Sequence, residues 1–330
     1  MVTLPTLINV YQAAERIQHV IRKTPIFEAP ELKELSGAAS IHYKMECLQQ
    51  TGAFKVRGAA NKILSLTDEE KQHGVITFST GNHGKAVAYV AGQMGIRAVV
   101  CLSEKVPTYR ADLIRSLGAE VAVQGKSQDE AEENYYRILK DEGLAPVVPF
   151  DDPMVIAGQG TITLEILEKL PDTDMLLVPL SGGGLVSGMA LVAKQINPAI
   201  HIVAISLERS PAMYESLKAG KPVQVEEKGS LADSLLGGIG VENHYNLPLI
   251  DRYVDEHILV SEDDIKTGMY SAYNSQQMII EGAAAVGIGA IINKKLDVTG
   301  KNVVSILSGR SIDTRRYLQV IAEQQRVGEK

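Results

Sequence analysis

Val75-Ile76-Thr77-Phe78-Ser79-Thr80-Gly81-Asn82-His83-Gly84 reads as a short apolar strand, a polar turn and the opening of a helix. The helix is expected over Asn82–Met94, and the unit then repeats: strand Ala98–Leu102, helix 110–117, strand 121–123, helix 127–142. Short units joined by short links are the pattern of a parallel sheet covered on both faces. Residues 145–153 interrupt it with three prolines and two aspartates. Longer units follow: helix 160–170, strand Met175–Pro179, helix 185–196 and strand 200–206. Upstream lie a helix over 10–22, an extended segment over 41–45 and a helix over 58–66. Downstream, residues 218–240 carry no period and read as a long functional loop. Helices over 264–279 and 281–293 precede a last strand at 302–307. The expected architecture is a small α/β lobe, residues 75–148, inserted into a larger α/β lobe built from residues 1–74 and 149–330.

Composition narrows the function. The 330 residues, 45% hydrophobic and 22% charged, are those of a globular protein with ample core. A net charge of -7 offers no broad basic field for nucleic acid or an anionic membrane. No secretory signal is evident over residues 1–20 and no apolar run suffices to span a bilayer. Cys47 and Cys101 have no metal-ligand spacing and read as reduced thiols of a cytoplasmic protein. His83, His201, His244 and His257 are scattered, so no metal site is expected.

Ligands in open α/β sheets bind beyond the carboxyl ends of strands, and the unusual residues fall there. The turn Ser79 to His83 offers hydroxyls, an amide and helix N–H groups to an anion; a plain helix cap accounts for only one of its polar residues. Leu180-Ser181-Gly182-Gly183-Gly184-Leu185-Val186-Ser187-Gly188 leaves successive N–H groups free to converge on one phosphate. It is neither a Walker loop nor a full dinucleotide fingerprint, because Ser187 stands where the last glycine belongs; Glu208 keeps a nicotinamide oxidoreductase as a minority alternative. In Thr51-Gly52-Ala53-Phe54-Lys55-Val56-Arg57-Gly58-Ala59 a lone amine sits among apolar neighbours. Desolvation there favours a neutral amine able to condense with a carbonyl; the plainer alternative is a surface helix whose Lys55 and Arg57 snorkel. Ser308, in Ser305-Ile306-Leu307-Ser308-Gly309-Arg310-Ser311-Ile312-Asp313, either faces the cleft or caps the next helix. A condensing lysine, a single-phosphate cradle and an anion-binding turn together specify a phosphorylated carbonyl cofactor, for which pyridoxal 5'-phosphate is the obvious candidate.

The order Lys55, Asn82, Gly182 to Gly184, Ser308 resembles the serine/threonine dehydratase and serine racemase family of fold-type II pyridoxal phosphate enzymes. Phe150-Asp151-Asp152-Pro153 and Ile156-Ala157-Gly158-Gln159-Gly160-Thr161 look like further landmarks of that family. The segments 127–132, 206–209 and 231–235 look most like the dehydratases of hydroxyectoine utilisation. The resemblance implies a tryptophan synthase β-like fold, two open α/β lobes with the cofactor in the cleft between them. It implies that Lys55 holds the cofactor as a Schiff base, that Phe54 packs on the pyridine ring and that Asn82 hydrogen-bonds the 3-hydroxyl. Gly182, Gly183, Gly184 and Leu185 would bind the phosphate, Ser308 would face the pyridine nitrogen, and Ser79, Thr80, Gly81 and His83 would receive the substrate carboxylate. The implied activity is that of an ammonia-lyase taking water from a 3-hydroxy amino acid, with Lys55 as the base. A racemase is the alternative within the family, Thr80 standing where a serine serves as the opposite-face acid/base. A non-catalytic binding protein has no need of the Lys55 amine. The chain departs from the family at Ser308-Gly309-Arg310-Ser311, where Ser-Gly-Gly-Asn is common, so Arg310 is a candidate specificity residue. Tyr214 replaces an acidic ligand of the metal site found in some relatives, which again predicts no metal. A homodimer with a small amino-acid substrate, no nucleic acid and no membrane completes the expectation.

Overall fold

The computed structural model describes residues 2–328 apart from Thr80, Lys105, Pro107, Lys126 and Ser127. Two sheets organise it. Strands β1 (Ile26–Glu28), β2 (Ser40–Lys44), β7 (Met175–Pro179), β8 (His201–Leu207), β9 (Glu256–Val260) and β10 (Asn302–Ile306) form a six-stranded sheet in the order β1-β2-β10-β7-β8-β9. Strands β3 (Val75–Phe78), β4 (Ala98–Leu102), β5 (Glu120–Val123) and β6 (Ala145–Pro146) form a second, all parallel, in the order β5-β4-β3-β6. In the larger sheet only β1 runs antiparallel.

Alternation along the strands explains why helices cover both faces. Leu177, Val203, Ile205 and Val303 enter one core, while their neighbours Leu176, Val178, Ile202 and Val304 enter the other. Fully burying each such side chain stabilises the fold by roughly 1.5–3 kcal/mol. The core around the small sheet reaches beyond 75–148: Val56, Ala59, Ala60 and Ile63, from the helix Lys55–Ser65, pack with Val75, Ala86 and Val100.

Several boundaries differ from the expectation for identifiable reasons. The first helix is Leu7–Ile17, because Thr6 closes a capping box with Asn9. The helix expected to begin at residue 58 begins at Lys55 itself. Residues 145–153 are less of a break than their prolines suggest, since the helix Pro153–Lys169 starts there. Pro153 occupies its first position, where the missing N–H costs nothing, and Asp152 caps it by accepting from Met154 and Val155 N–H. Strands β1, β6 and β9 and the helices Ala212–Ala219, Asn246–Tyr253 and Thr314–Gly328 were not anticipated. Within 218–240 the backbone after Ala219 is irregular except for the 3-10 turn Asp233–Leu235.

Candidate active site

Three adjacent parallel strands, β2, β10 and β7, end on one edge of the large sheet, and each releases a motif there. β2 leads to the Lys55 segment, β10 to Ser308 and β7 to the glycines. Backbone pairing fixes the first two against each other. Phe54 N–H donates to Ser308 O (3.0 Å), Arg310 N–H donates to Gly52 O (2.9 Å), and Ala53 bridges Gly309.

Lys55 opens its helix, with its Nζ 5.2 Å from the centre of the Phe54 ring. The amine donates to Pro149 O at 2.8 Å. Burial pushes its pKa down to about 8 although Glu281 opposes the shift, and the positive end of the helix dipole acts in the same direction as burial. This is a lysine that is partly neutral near physiological pH.

The glycine loop is held open by its neighbours. Gly183 has φ +97, the left-handed region that disfavours a side chain, and a Cβ on Gly182 would lie 2.4 Å from the Phe150 ring. Gly182, Gly183 and Gly184 donate their N–H groups to no acceptor among the described residues. They stand at the positive end of the buried helix Gly184–Ile196, which is a ready anion site. Phe150-Asp151-Asp152-Pro153 thereby acquires a physical account. Phe150 packs on Gly182, while Asp151 accepts from the N–H groups of His244 (2.6 Å), Tyr245 (3.0 Å) and Asn246 (2.9 Å). Asn246 in turn donates Nδ2 to Gly182 O at 3.0 Å, tying that cap to the loop. In the second landmark, a Cβ on Gly158 would sit 2.6 Å from Arg57 O and one on Gly160 would sit 2.9 Å from Gly188 O. The lysine helix, the Pro153 helix and the loop helix therefore touch backbone to backbone, which sets the lysine and the cradle at a fixed spacing.

From the small sheet, β3 delivers the turn Ser79 to His83. Asn82 opens the helix Asn82–Met94 and Gly84 lets it approach the strand, since a Cβ there would lie 2.4 Å from Ser79 O. His83 is turned away: its Nε2 meets Val147 O at 2.8 Å, and burial with Lys55 nearby lowers its pKa to about 3. The ring is neutral, so any anion at this turn meets His83 through the main chain. Thr80 lies outside the described residues, as does Ser127. Ser308 is buried behind the lysine segment. Arg310 is exposed and lies over Gly52, where a Cβ would be 3.3 Å from its Cγ, whereas Ser311 next to it reaches inward.

One residue escaped the sequence reading. Glu281 is buried, and it accepts from Asn82 Nδ2 (3.0 and 3.1 Å), Ser234 Oγ (2.9 Å) and Ser311 N–H (2.8 Å). It joins the small sheet's turn, the 3-10 turn at Asp233–Leu235 and the end of β10 around one carboxylate. Gly81, Asn82, Ser234, Glu281 and Ser311 line a cleft of about 220 Å³. The available signal was its place directly before the almost wholly apolar helix Gly282–Ile292, where burial is unavoidable.

Comparison with known proteins gives the family. The family model described as pyridoxal-phosphate dependent enzyme matches residues 17–309. L-threonine ammonia-lyase of Thermotoga maritima is 40% identical over 318 residues, 96% of this chain and 78% of that protein. Maize serine racemase superimposes with a TM-score of 0.90 at 30% identity, covering 99% of this chain and 100% of that one. The processed form of threonine deaminase isoform 2 from Solanum lycopersicum gives a TM-score of 0.87 at 30% identity, over 98% of this chain and 91% of that one. The fold is fold-type II. The site fits the cofactor: a buried amine of lowered pKa for its carbonyl, undonated N–H groups at a helix N-terminus for its phosphate, and an amide and a hydroxyl for its 3-oxygen and ring nitrogen. Matched over most of its length and carrying the donors its cofactor needs, the chain belongs to the pyridoxal-phosphate dependent enzyme family.

Proposed function

We propose that this protein is a dehydratase of the ammonia-lyase type, taking water from a 3-hydroxy amino acid of threonine or serine form to give a 2-oxo acid and ammonia. The observation that carries the reading is Lys55, an amine held near neutrality with no carboxylate within ion-pair distance among the described residues. The 40% identity to an L-threonine ammonia-lyase supports the same reaction.

When bound, pyridoxal phosphate supplies the carbonyl that captures an amino group and the conjugated ring that draws electrons from its α-carbon. The protein's share is placement and proton transfer. Lys55 Nζ takes the α-proton as base, and the 3-hydroxyl leaves as water with a proton returned to it; the released product hydrolyses to the 2-oxo acid and ammonia. Gly182, Gly183, Gly184 and Leu185 would hold the phosphate by main-chain N–H groups, and Phe54 would pack on the ring. Ser308 would face the ring nitrogen with a neutral hydroxyl, which unlike a carboxylate would not keep that nitrogen protonated. The turn Ser79 to His83, Thr80 included, receives the substrate carboxylate.

A second reading, amino-acid racemisation, is favoured by the likeness to maize serine racemase. It would use Thr80 on the opposite face, and chiral analysis of recovered substrate separates it from elimination. Residues 206–209 and 231–235 support a hydroxyectoine-derived amino acid as an alternative substrate. A homodimer in the cytoplasm completes the proposal. No described helix is long and apolar enough to cross a membrane.

The test is turnover of L-threonine, L-serine and 3-hydroxylated diamino acids by the purified protein with pyridoxal phosphate, followed as 2-oxo acid and ammonia. Production by the native chain and none by Lys55→Ala is expected. Undiminished production by a clean Lys55→Ala preparation would contradict the proposal.

A further inference from the structure

Every partner of Glu281 among the described residues is a donor: the Asn82 amide nitrogen, the Ser234 hydroxyl and the Ser311 N–H. These hydrogen bonds favour the ionised form, while burial, the largest influence, raises the pKa of Glu281 overall. An ionised carboxylate has no hydrogen to give. When ionised, Glu281 therefore has nothing to offer the Asn82 oxygen, and in the structure it is the Asn82 nitrogen that faces the carboxylate. The two carboxylate oxygens, 3.0 and 3.1 Å from Asn82 Nδ2, subtend a far smaller angle at that nitrogen than its two N–H bonds do, so one N–H serves both and the other stays available. Nothing described on the far side dictates this orientation, because Asn82 Oδ1 is buried with no hydrogen-bond partner among the described residues. Asn82 is thus set entirely from its nitrogen side. Gly309 makes the arrangement possible, since a Cβ there would lie 2.8 Å from the carboxylate oxygens.

We infer that Glu281 is a positioning residue that fixes Asn82 as a hydrogen-bond donor, through its second amide N–H, to the 3-oxygen of pyridoxal phosphate. The inference rests on the cofactor assignment and concerns one atom of the cofactor. A donor at that oxygen favours its ionised form, so the pairing contributes to cofactor affinity as well as to orientation. A glutamine in place of Glu281 can offer either end of its amide to Asn82, and the fixed polarity is lost.

The test compares uptake of pyridoxal phosphate with uptake of its 3-deoxy analogue by the full-length, cofactor-free protein, followed by absorbance and tyrosine fluorescence. Glu281→Gln is expected to weaken binding of the natural cofactor about tenfold and to leave the analogue within about twofold of its native affinity. Asn82→Ala should remove the preference for the 3-hydroxyl, and the double variant should be no weaker than Asn82→Ala. Glu281→Asp, which withdraws the carboxylate without removing its charge, should lose the same preference and stands in if the glutamine variant does not fold. Equal loss of both ligands, unchanged cofactor affinity, or a preference that survives Asn82→Ala would overturn the inference. A native protein that takes up neither compound overturns the cofactor assignment instead.

Discussion

The molecule builds each half of its proposed cofactor site twice, once closed and once open. Lys44 and Lys55 are both withdrawn from water. Lys44, fully buried, donates to Thr24 O (2.8 Å) and pairs with Glu165, while Glu46 lies 3.9 Å away and Arg57 bridges both carboxylates. Lys55 has a carbonyl oxygen and, among the described residues, no carboxylate at that range. The N-terminus of the helix Asn246–Tyr253 is filled by Asp151, whereas that of the neighbouring helix Gly184–Ile196 has undonated N–H groups and no acidic residue. Charge compensation by the protein itself marks the structural copy; its omission marks the one kept for a ligand. A buried cation or helix end without a partner is costly to maintain, and here both lie on the same sheet edge.

Substitutions on either side of this contrast separate the two roles. Lys55→Ala should have the largest effect, elimination falling below detection while urea denaturation moves by about 1 kcal/mol. Lys44→Met should do the opposite. It leaves Glu46 and Glu165 short of one cation and should cost about 3–5 kcal/mol in the same titration, with cofactor still captured by whatever folds. On the helix ends, Gly182→Ala drives a Cβ into the Phe150 ring. A loss of about 1–3 kcal/mol is expected, together with weaker binding of pyridoxal phosphate but much less change for unphosphorylated pyridoxal. Asp151→Ala removes a cap and should lower the melting temperature by an amount equivalent to about 1 kcal/mol, with only a secondary effect on cofactor affinity through Asn246. A cofactor defect from Lys44→Met or Asp151→Ala as deep as that from their open counterparts would break the contrast.

Much of the open half was legible in the sequence, because glycines and a lone lysine leave local signatures. The helix Asn82–Met94 and the strands β3, β4 and β7 fall where the residues placed them, with Gly95 in the left-handed conformation as the stop after Met94. Closed features were harder to read, since their partners are distant. Arg57 meets Glu165 across 108 positions and Asn82 meets Glu281 across 199, separations at which no periodicity or spacing rule speaks. The plainer reading of Arg57 as a surface side chain is overturned by its complete burial between Glu46 and Glu165. Pro153 misled in the other direction: a residue that breaks helices internally is well placed at their first position, and only the cap by Asp152 distinguishes the two. The last helix, Thr314–Gly328, carries charged residues through its apolar stripe, and tertiary packing of Tyr317, Val320 and Ile321 decides it.

Lys55, and not the charge-paired Lys44, is expected to capture the cofactor. The most direct measurement is borohydride reduction of the protein loaded with pyridoxal phosphate, followed by digestion and mass mapping of every lysine-containing peptide. A stable phosphopyridoxyl mass is expected on Lys55, near-stoichiometric and absent from Lys44. Label on another lysine, or none on a protein that has taken up cofactor, would contradict it.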